Sequence, residues 1–106
     1  MNMRIAFKMN LFPGNEKEYK KRHNPIWSEL ENTLISHGVK SYTIFHDRQT
    51  NYLFGYAEIN NLQKWNEIAE TEICKKWWHF MAPLMEVNKD ESPVTTNLEE
   101  VFHIEI

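Results

Sequence analysis

Val39-Lys40-Ser41-Tyr42-Thr43-Ile44-Phe45-His46 and Tyr52-Leu53-Phe54-Gly55-Tyr56-Ala57-Glu58-Ile59, separated by Asp47-Arg48-Gln49-Thr50-Asn51, carry the clearest structural instruction in this chain. Both runs are rich in β-branched and aromatic residues, and the polar stretch between them has hairpin length. They are expected to pair as antiparallel neighbours. Strand alternation places Tyr42, Ile44 and His46 on one side of the first run and Val39, Ser41, Thr43 and Phe45 on the other. In the second run Tyr52, Phe54, Tyr56 and Glu58 share a face. An acid following three aromatics is unusual, and its ordinary reading is a paired or solvated carboxylate.

Upstream, Met3, Ile5, Phe7, Met9 and Leu11 alternate with polar or small residues, the period of a strand with one apolar face. Phe12-Pro13-Gly14-Asn15 ends it. A helix is expected from Asn15, whose side chain can cap, with Glu16 and Glu18 in a first turn that favours carboxylates. Pro25 breaks this helix, because a proline lacks the amide hydrogen and crowds the preceding turn, at about 3 kcal/mol in a helix interior. Asn24 as cap and Pro25 as first residue would then start a second helix through Ile26, Leu30 and Leu34, stopped by Gly38. Downstream, Asn60 and Asn61 cap a short helix through Leu62, Trp65, Ile68 and Ala69. Thr71 restarts it, with Ile73, Trp77, Phe80 and Leu84 as the core face. Glu86 to Asn97 reads as a polar loop, and Phe102, Ile104 and Ile106 alternate as a terminal strand. The order strand, helix, strand, strand, helix, strand (βαββαβ) is the ferredoxin-like split βαβ arrangement of the α+β class. It gives one domain over residues 1–106: a four-stranded antiparallel sheet with helices on one face and, since both faces carry apolar residues, a twofold partner on the other.

Composition narrows the function. An apolar fraction of 42% with 25% charged residues is that of a globular domain rather than a disordered chain. Four Trp, four Tyr and six Phe supply either large buried areas or the walls of a pocket. The net charge of −3 argues against nucleic-acid binding, which calls for a basic surface. Lys20-Lys21-Arg22, the one basic cluster, follows Glu16 and Glu18 and reads as a solvated helix face. The single cysteine, Cys74, excludes an internal disulfide and a cysteine-built metal cage, and favours a reducing cytoplasm. The N-terminal residues lack a signal-peptide pattern and no apolar run approaches the ~20 residues of a membrane span, so a soluble cytoplasmic protein is expected.

His23, His37, His46, His79 and His103 are not spaced with Cys, Asp or Glu as metal ligands, so no metal is expected. Gly14, Gly38 and Gly55 are isolated, so there is no phosphate-cradling loop and no cofactor motif, and no nucleophile elbow is present. What remains is acid–base chemistry. Tyr19, His23 and Trp27 are four residues apart, a spacing that stacks side chains on one helix face, and the proline places His23 at a joint. That face is either core or one side of a small pocket. Trp77 and Trp78 point about 100° apart on a helix, so they do not share one stripe. Trp77 falls on the core face and Trp78 at its edge, beside Cys74 and Met81. The pair is either two helix-packing indoles or a pocket wall, and indole faces suit the C–H faces of a pyranose.

Glu18-Tyr19, Arg22-His23-Asn24-Pro25-Ile26-Trp27, Ser36-His37-Gly38, Tyr42, the Cys74 to Trp78 run, Ser92-Pro93-Val94 and Glu100-Val101-Phe102 together resemble the L-rhamnose mutarotase family. These segments reach from the first helix to the last strand. The resemblance implies a cytoplasmic homodimer of the dimeric α+β barrel group, acting without a cofactor in rhamnose catabolism to interconvert the α and β anomers of L-rhamnose. It implies that His23 is the proton donor and that Tyr19, Tyr42, Trp77 and Trp78 contact the sugar, with Trp27 packed beside Leu30 as support. Lys21 stands where the family commonly has arginine, and Lys89 where it commonly has proline. The reaction needs a proton delivered to the ring oxygen and one withdrawn from the anomeric hydroxyl. Glu58, a tyrosine hydroxyl or a bound water are candidates to work opposite His23. Two other readings share this architecture: another cofactor-free enzyme of the barrel group, and a non-catalytic dimeric sugar-binding module.

Overall fold

β1 (Met3–Asn10) and β3 (Tyr52–Ile59) are the two inner strands of an antiparallel sheet that β2 (Val39–His46) and β4 (Thr96–Leu98) complete in the order β2-β3-β1-β4. This is the ferredoxin-like arrangement, in a computed structural model that describes residues 2–106; Met1, within the expected domain, lies outside the described residues. The hairpin forms with the expected strands. Met9 lies opposite Leu53 and Ile5 opposite Ala57, while Tyr42, Ile44 and His46 lie opposite Ala57, Gly55 and Leu53. These residues face the helices, and Met9, Leu53, Leu11, Tyr19, Leu30, Trp77, Met81 and Leu84 form one buried cluster. Arg4, Lys8, Thr43, Phe45, Tyr52, Phe54, Tyr56 and Glu58 share the opposite face. Val39 departs from the expected alternation. A bulge between Val39 and Ser41 sets Val39 opposite Ile59, on the helix side, because the extra residue resets the two-residue period.

Gly55 is required by a close approach. It lies opposite Phe7, and a Cβ on Gly55 would come within 2.5 Å of the Phe7 ring. The ring uses the space a side chain would take.

The helices form where expected, with different ends. α1 (Glu16–Arg22) begins after Asn15, but the Asn15 amide donates to the carbonyls of Phe12 and Pro13 and does not cap. Asn24 does not start α2 either. Its side-chain amide donates to the Lys20 carbonyl at 2.7 Å, closing α1, and α2 (Ser28–Ser36) begins past the cis Asn24–Pro25 bond with Trp27 at its N-cap. Gly38, at φ +84°, ends α2 as expected. Asn61 caps α3 (Leu62–Ile68) through the Lys64 amide, and Thr71 caps α4 (Glu72–Met81) through the Cys74 amide. The buried stripe of α4 is Cys74, Trp77 and Met81, continued by Leu84; Ile73 and Phe80, expected at its centre, flank it half-buried. The buried thiol behaves as a small hydrophobe and rotates the stripe toward itself.

The expected terminal strand does not form. β4 starts at the end of the stretch that reads as a polar loop and runs one residue past it, with Leu98 opposite Ala6. Antiparallel register then carries Glu100 to Arg4, which it binds at 2.7 Å, and residues 101–106 run past the start of β1 with no backbone left to pair. Alternation alone does not make a strand without a neighbour.

Gly55→Ala is expected to lower the stability of the fold by about 1–3 kcal/mol, the usual cost of overpacking, read as a shift in the urea midpoint. Adding Phe7→Leu should recover part of the loss. An unchanged midpoint in Gly55→Ala would show that the Phe7 ring moves aside freely.

Candidate active site

Between the helix layer and the sheet lies a cavity of about 1500 Å³, open to solvent and lined by Tyr19 and His23 from the end of α1, Tyr42 from β2 and Trp77 and Trp78 from α4. The five residues singled out in the sequence all line this cavity. Ring contacts join Tyr19 to His23 and His23 to Trp77, Tyr42 points inward because strand alternation puts it beside Ile44, and Trp78 is half-buried next to Trp77 on α4.

His23 sits just past the last turn of α1, where its own amide reaches back to the Lys20 carbonyl at 3.2 Å. Its ring lies 4.5 Å from that of Tyr19 and edge-on to Trp77 at 5.1 Å. Nδ1 is 2.8 Å from the Tyr19 main-chain oxygen. A carbonyl only accepts, so Nδ1 carries the proton and Nε2 holds the lone pair. Nε2 has no protein partner among the described residues. Burial lowers the His23 pKa below the usual imidazole value, and the bond to Tyr19 opposes that shift without reversing it. At neutral pH the site thus offers a neutral imidazole with a free basic nitrogen.

The tyrosines behave in the opposite sense. Tyr19 is buried, which pushes its phenol well above the usual range; Tyr42 is 37% exposed as a residue, and the crowding of its phenol within the cavity shifts it the same way, so both are protonated hydrogen-bond donors rather than bases. Neither hydroxyl is bonded to protein among the described residues, and no buried side-chain oxygen or nitrogen there lacks a partner. The Tyr19 hydroxyl accordingly reaches open space. Cys74, also on the cavity wall, has its thiol pushed up to about 11 by burial and stays uncharged.

Trp27 supports this wall from behind, with its ring 5.1 Å from both Trp77 and Phe80. Arg22 departs from the solvated reading of the basic cluster. Its Nε binds Glu18 at 2.7 Å, Nη1 donates to the Phe80 carbonyl, and the guanidinium lies 4.2 Å over the Phe80 ring. The end of α1 is thereby tied to α4, across the two elements that bear His23 and Trp77. Glu58 is excluded as a partner for His23. It lies on the far face of the sheet, opposite Arg4, and accepts from the Tyr56 hydroxyl at 3.3 Å. His37 and His79 are engaged elsewhere, with the Thr33 carbonyl and with Glu91. Among the described residues no group of three or more His, Cys, Asp or Glu is placed to hold a metal ion. The cavity also exposes Phe7 and Trp65, which the sequence reading assigned to packing.

The arrangement, one imidazole with a free nitrogen facing phenol donors and indole walls, suits proton transfer on a small ring with both polar and apolar faces. The family model described as L-rhamnose mutarotase matches residues 4–104. An L-rhamnose mutarotase of Lachnoclostridium phytofermentans is 53% identical over 97% of this chain and 99% of its own. One of Clostridium beijerinckii is 56% identical over 93% and 95%. The crystal structure of an L-rhamnose mutarotase from Formosa agariphila superposes with a TM-score of 0.91 at 47% identity, covering 97% of this chain and 99% of that one. With the fold and nearly the whole length of the sequence in agreement, the chain belongs to the L-rhamnose mutarotase family.

Proposed function

We propose that this protein interconverts the α and β anomers of L-rhamnose, with His23 moving the proton. The observation that carries the mechanism is the bond from Nδ1–H to Tyr19, which leaves Nε2 as the reactive nitrogen. In the first step Nε2 takes the proton of the anomeric hydroxyl. The electron pair left on that oxygen forms the aldehyde C=O as the bond from C1 to the ring oxygen breaks, and the new imidazolium delivers its proton to the departing ring oxygen. His23 is thus the proton donor to the ring oxygen and ends neutral. Rotation about C1–C2 and the reverse sequence on the other carbonyl face give the second anomer. Tyr19 and Tyr42, held protonated, donate to the oxygen that gains charge, and Trp77 and Trp78 offer their faces to the sugar's C–H surface. A positioned proton transfer of this kind contributes about 10² to 10⁴ in rate.

The resulting pH dependence has a definite sign. The reaction starts from neutral His23, whose pKa lies below the ordinary value. The rate should be flat above neutrality and fall as pH drops through the His23 pKa, below about 6.5. Saturation-transfer NMR on the rhamnose anomeric protons measures it. Exchange catalysed by the wild type, lost by at least about 10²-fold in His23→Ala and kept in His37→Ala, is the expected result. No exchange above buffer in the wild type would overturn the mutarotase reading, and binding without exchange would favour a sugar-binding module.

We further propose a homodimer acting in the cytoplasm in rhamnose catabolism. The sheet face away from the helices presents Tyr52, Phe54 and Tyr56, with Phe45 63% and Leu98 41% exposed, and the extended residues 101–106 add Phe102 and Ile104. A second copy meeting this face through a twofold axis would cover these exposed apolar side chains. Light scattering at micromolar concentration should give twice the chain mass; a monomer would contradict the dimer.

A further inference from the structure

Tyr42, like the other proposed sugar contacts, has no hydrogen bond to protein at its own tip among the described residues, and unlike Tyr19 and Trp77 it is not buried. It stands on β2, which is the edge strand of the sheet, just after the bulge that follows Val39. Its inner neighbours across the pair are small: Ala57 lies directly opposite. Pairing with β3 alone therefore does not locate the side chain.

Two rings do this. Trp65, on α3, meets the Tyr42 ring at 5.6 Å and 72°, an edge-to-face contact, and Phe7, on β1, meets it at 6.1 Å and 65°. Trp65 and Phe7 also meet each other at 6.3 Å, so the three rings close a triangle. Phe7 cannot drift toward the sheet, because it already occupies the space above Gly55. Trp65 is half-buried, comes from a different element and lines the same cavity as Tyr42. The trio lines the same cavity as Tyr19, His23 and Trp77.

We propose that Trp65 is a positioning residue for the mutarotation: it fixes the Tyr42 hydroxyl at the distance from His23 that the sugar spans, and acts on the reaction through that hydroxyl. The inference rests on the mutarotase reading. With Trp65 shortened, the Tyr42 ring gains rotamer freedom on an edge strand, and the hydroxyl donates to the reacting oxygen in only part of the population. The loss falls mainly on turnover rather than on KM, since the indoles of Trp77 and Trp78 still hold the sugar.

A double-mutant cycle tests this by anomer exchange, with Trp65→Leu, Tyr42→Phe and the double variant, each first checked by thermal melting. Trp65→Leu is expected to lower kcat about tenfold, or 1.4 kcal/mol in the barrier, with KM within about twofold. In the Tyr42→Phe background the same substitution should change kcat by less than about twofold, because the hydroxyl through which Trp65 acts is gone. Trp65→Phe, which keeps a ring edge against Tyr42, should restore at least half of the wild-type rate. If the leucine variant fails to fold, Trp65→Met, ringless and about leucine's size but unbranched and more adaptable in filling the gap, takes its place in the cycle. Equal fold-losses in the two backgrounds, or full activity in a folded ringless variant, would overturn the proposal while wild-type exchange leaves the mutarotase reading intact. Absence of exchange in the wild type would instead remove that reading itself.

Discussion

The hydrogen bond from the Nδ1–H of His23 to the Tyr19 carbonyl fixes what the cavity can do. It exists because α1 ends there. In a continuing helix the His23 amide would bond the Tyr19 carbonyl; here that amide turns to Lys20 instead, and the Asn24 side chain also goes to Lys20. The Tyr19 carbonyl is one of the orphan acceptors that every helix end leaves, and the imidazole satisfies it. Local backbone geometry thereby chooses the tautomer and aims Nε2 away from the helix.

The second constraint is burial, which competes with that bond. Removing an imidazolium from water disfavours the charged form, while a donor bond to a carbonyl favours it. In His23 burial is the larger effect, so the resting residue is neutral. Burial acts with opposite sign on Tyr19 and Tyr42, whose charged forms are anionic. One partly desolvated cavity wall therefore holds a base and two donors. Aromatic rings also build the wall behind it. Trp27, Trp77 and Phe80 form one cluster of edge-on and tilted ring contacts, and Arg22 covers the Phe80 ring while pairing with Glu18 in α1. A domain this small has little core to spare, so the same side chains serve stability and site.

Much of this is legible in the sequence where the signal is periodic. The hairpin, the Gly38 stop and the caps at Asn61 and Thr71 follow from alternation and local hydrogen-bond chemistry. A shared role for Tyr19, His23, Tyr42, Trp77 and Trp78 does not follow from spacing; the resemblance implies it, and the five residues all line one cavity. The departures share one cause, that local pattern does not report which partner a group finds. Asn15 and Asn24 have side chains fit to cap, but nearer carbonyls claim them. Arg22 reads as surface because its neighbours in sequence are charged, yet its fold neighbour is the Phe80 ring, 58 residues away. Phe102 and Ile104 alternate as a strand does, but β1 ends before they reach it. Trp65 sat in an apolar helix pattern that gave no reason to separate it from Ile68, and only the contact with Tyr42 sets it apart.

The central claim is that His23 rests as a neutral imidazole protonated on Nδ1, with Nε2 free to take the sugar's proton. Long-range proton–nitrogen correlation NMR of the ¹⁵N-histidine protein, followed through a pH titration and assigned with His23→Ala, measures tautomer and pKa together. The account predicts a protonated Nδ1 and an unprotonated Nε2 at neutral pH, with titration below the ordinary value of about 6.5. A proton on Nε2 in the neutral form, or a pKa above the ordinary value, would contradict it.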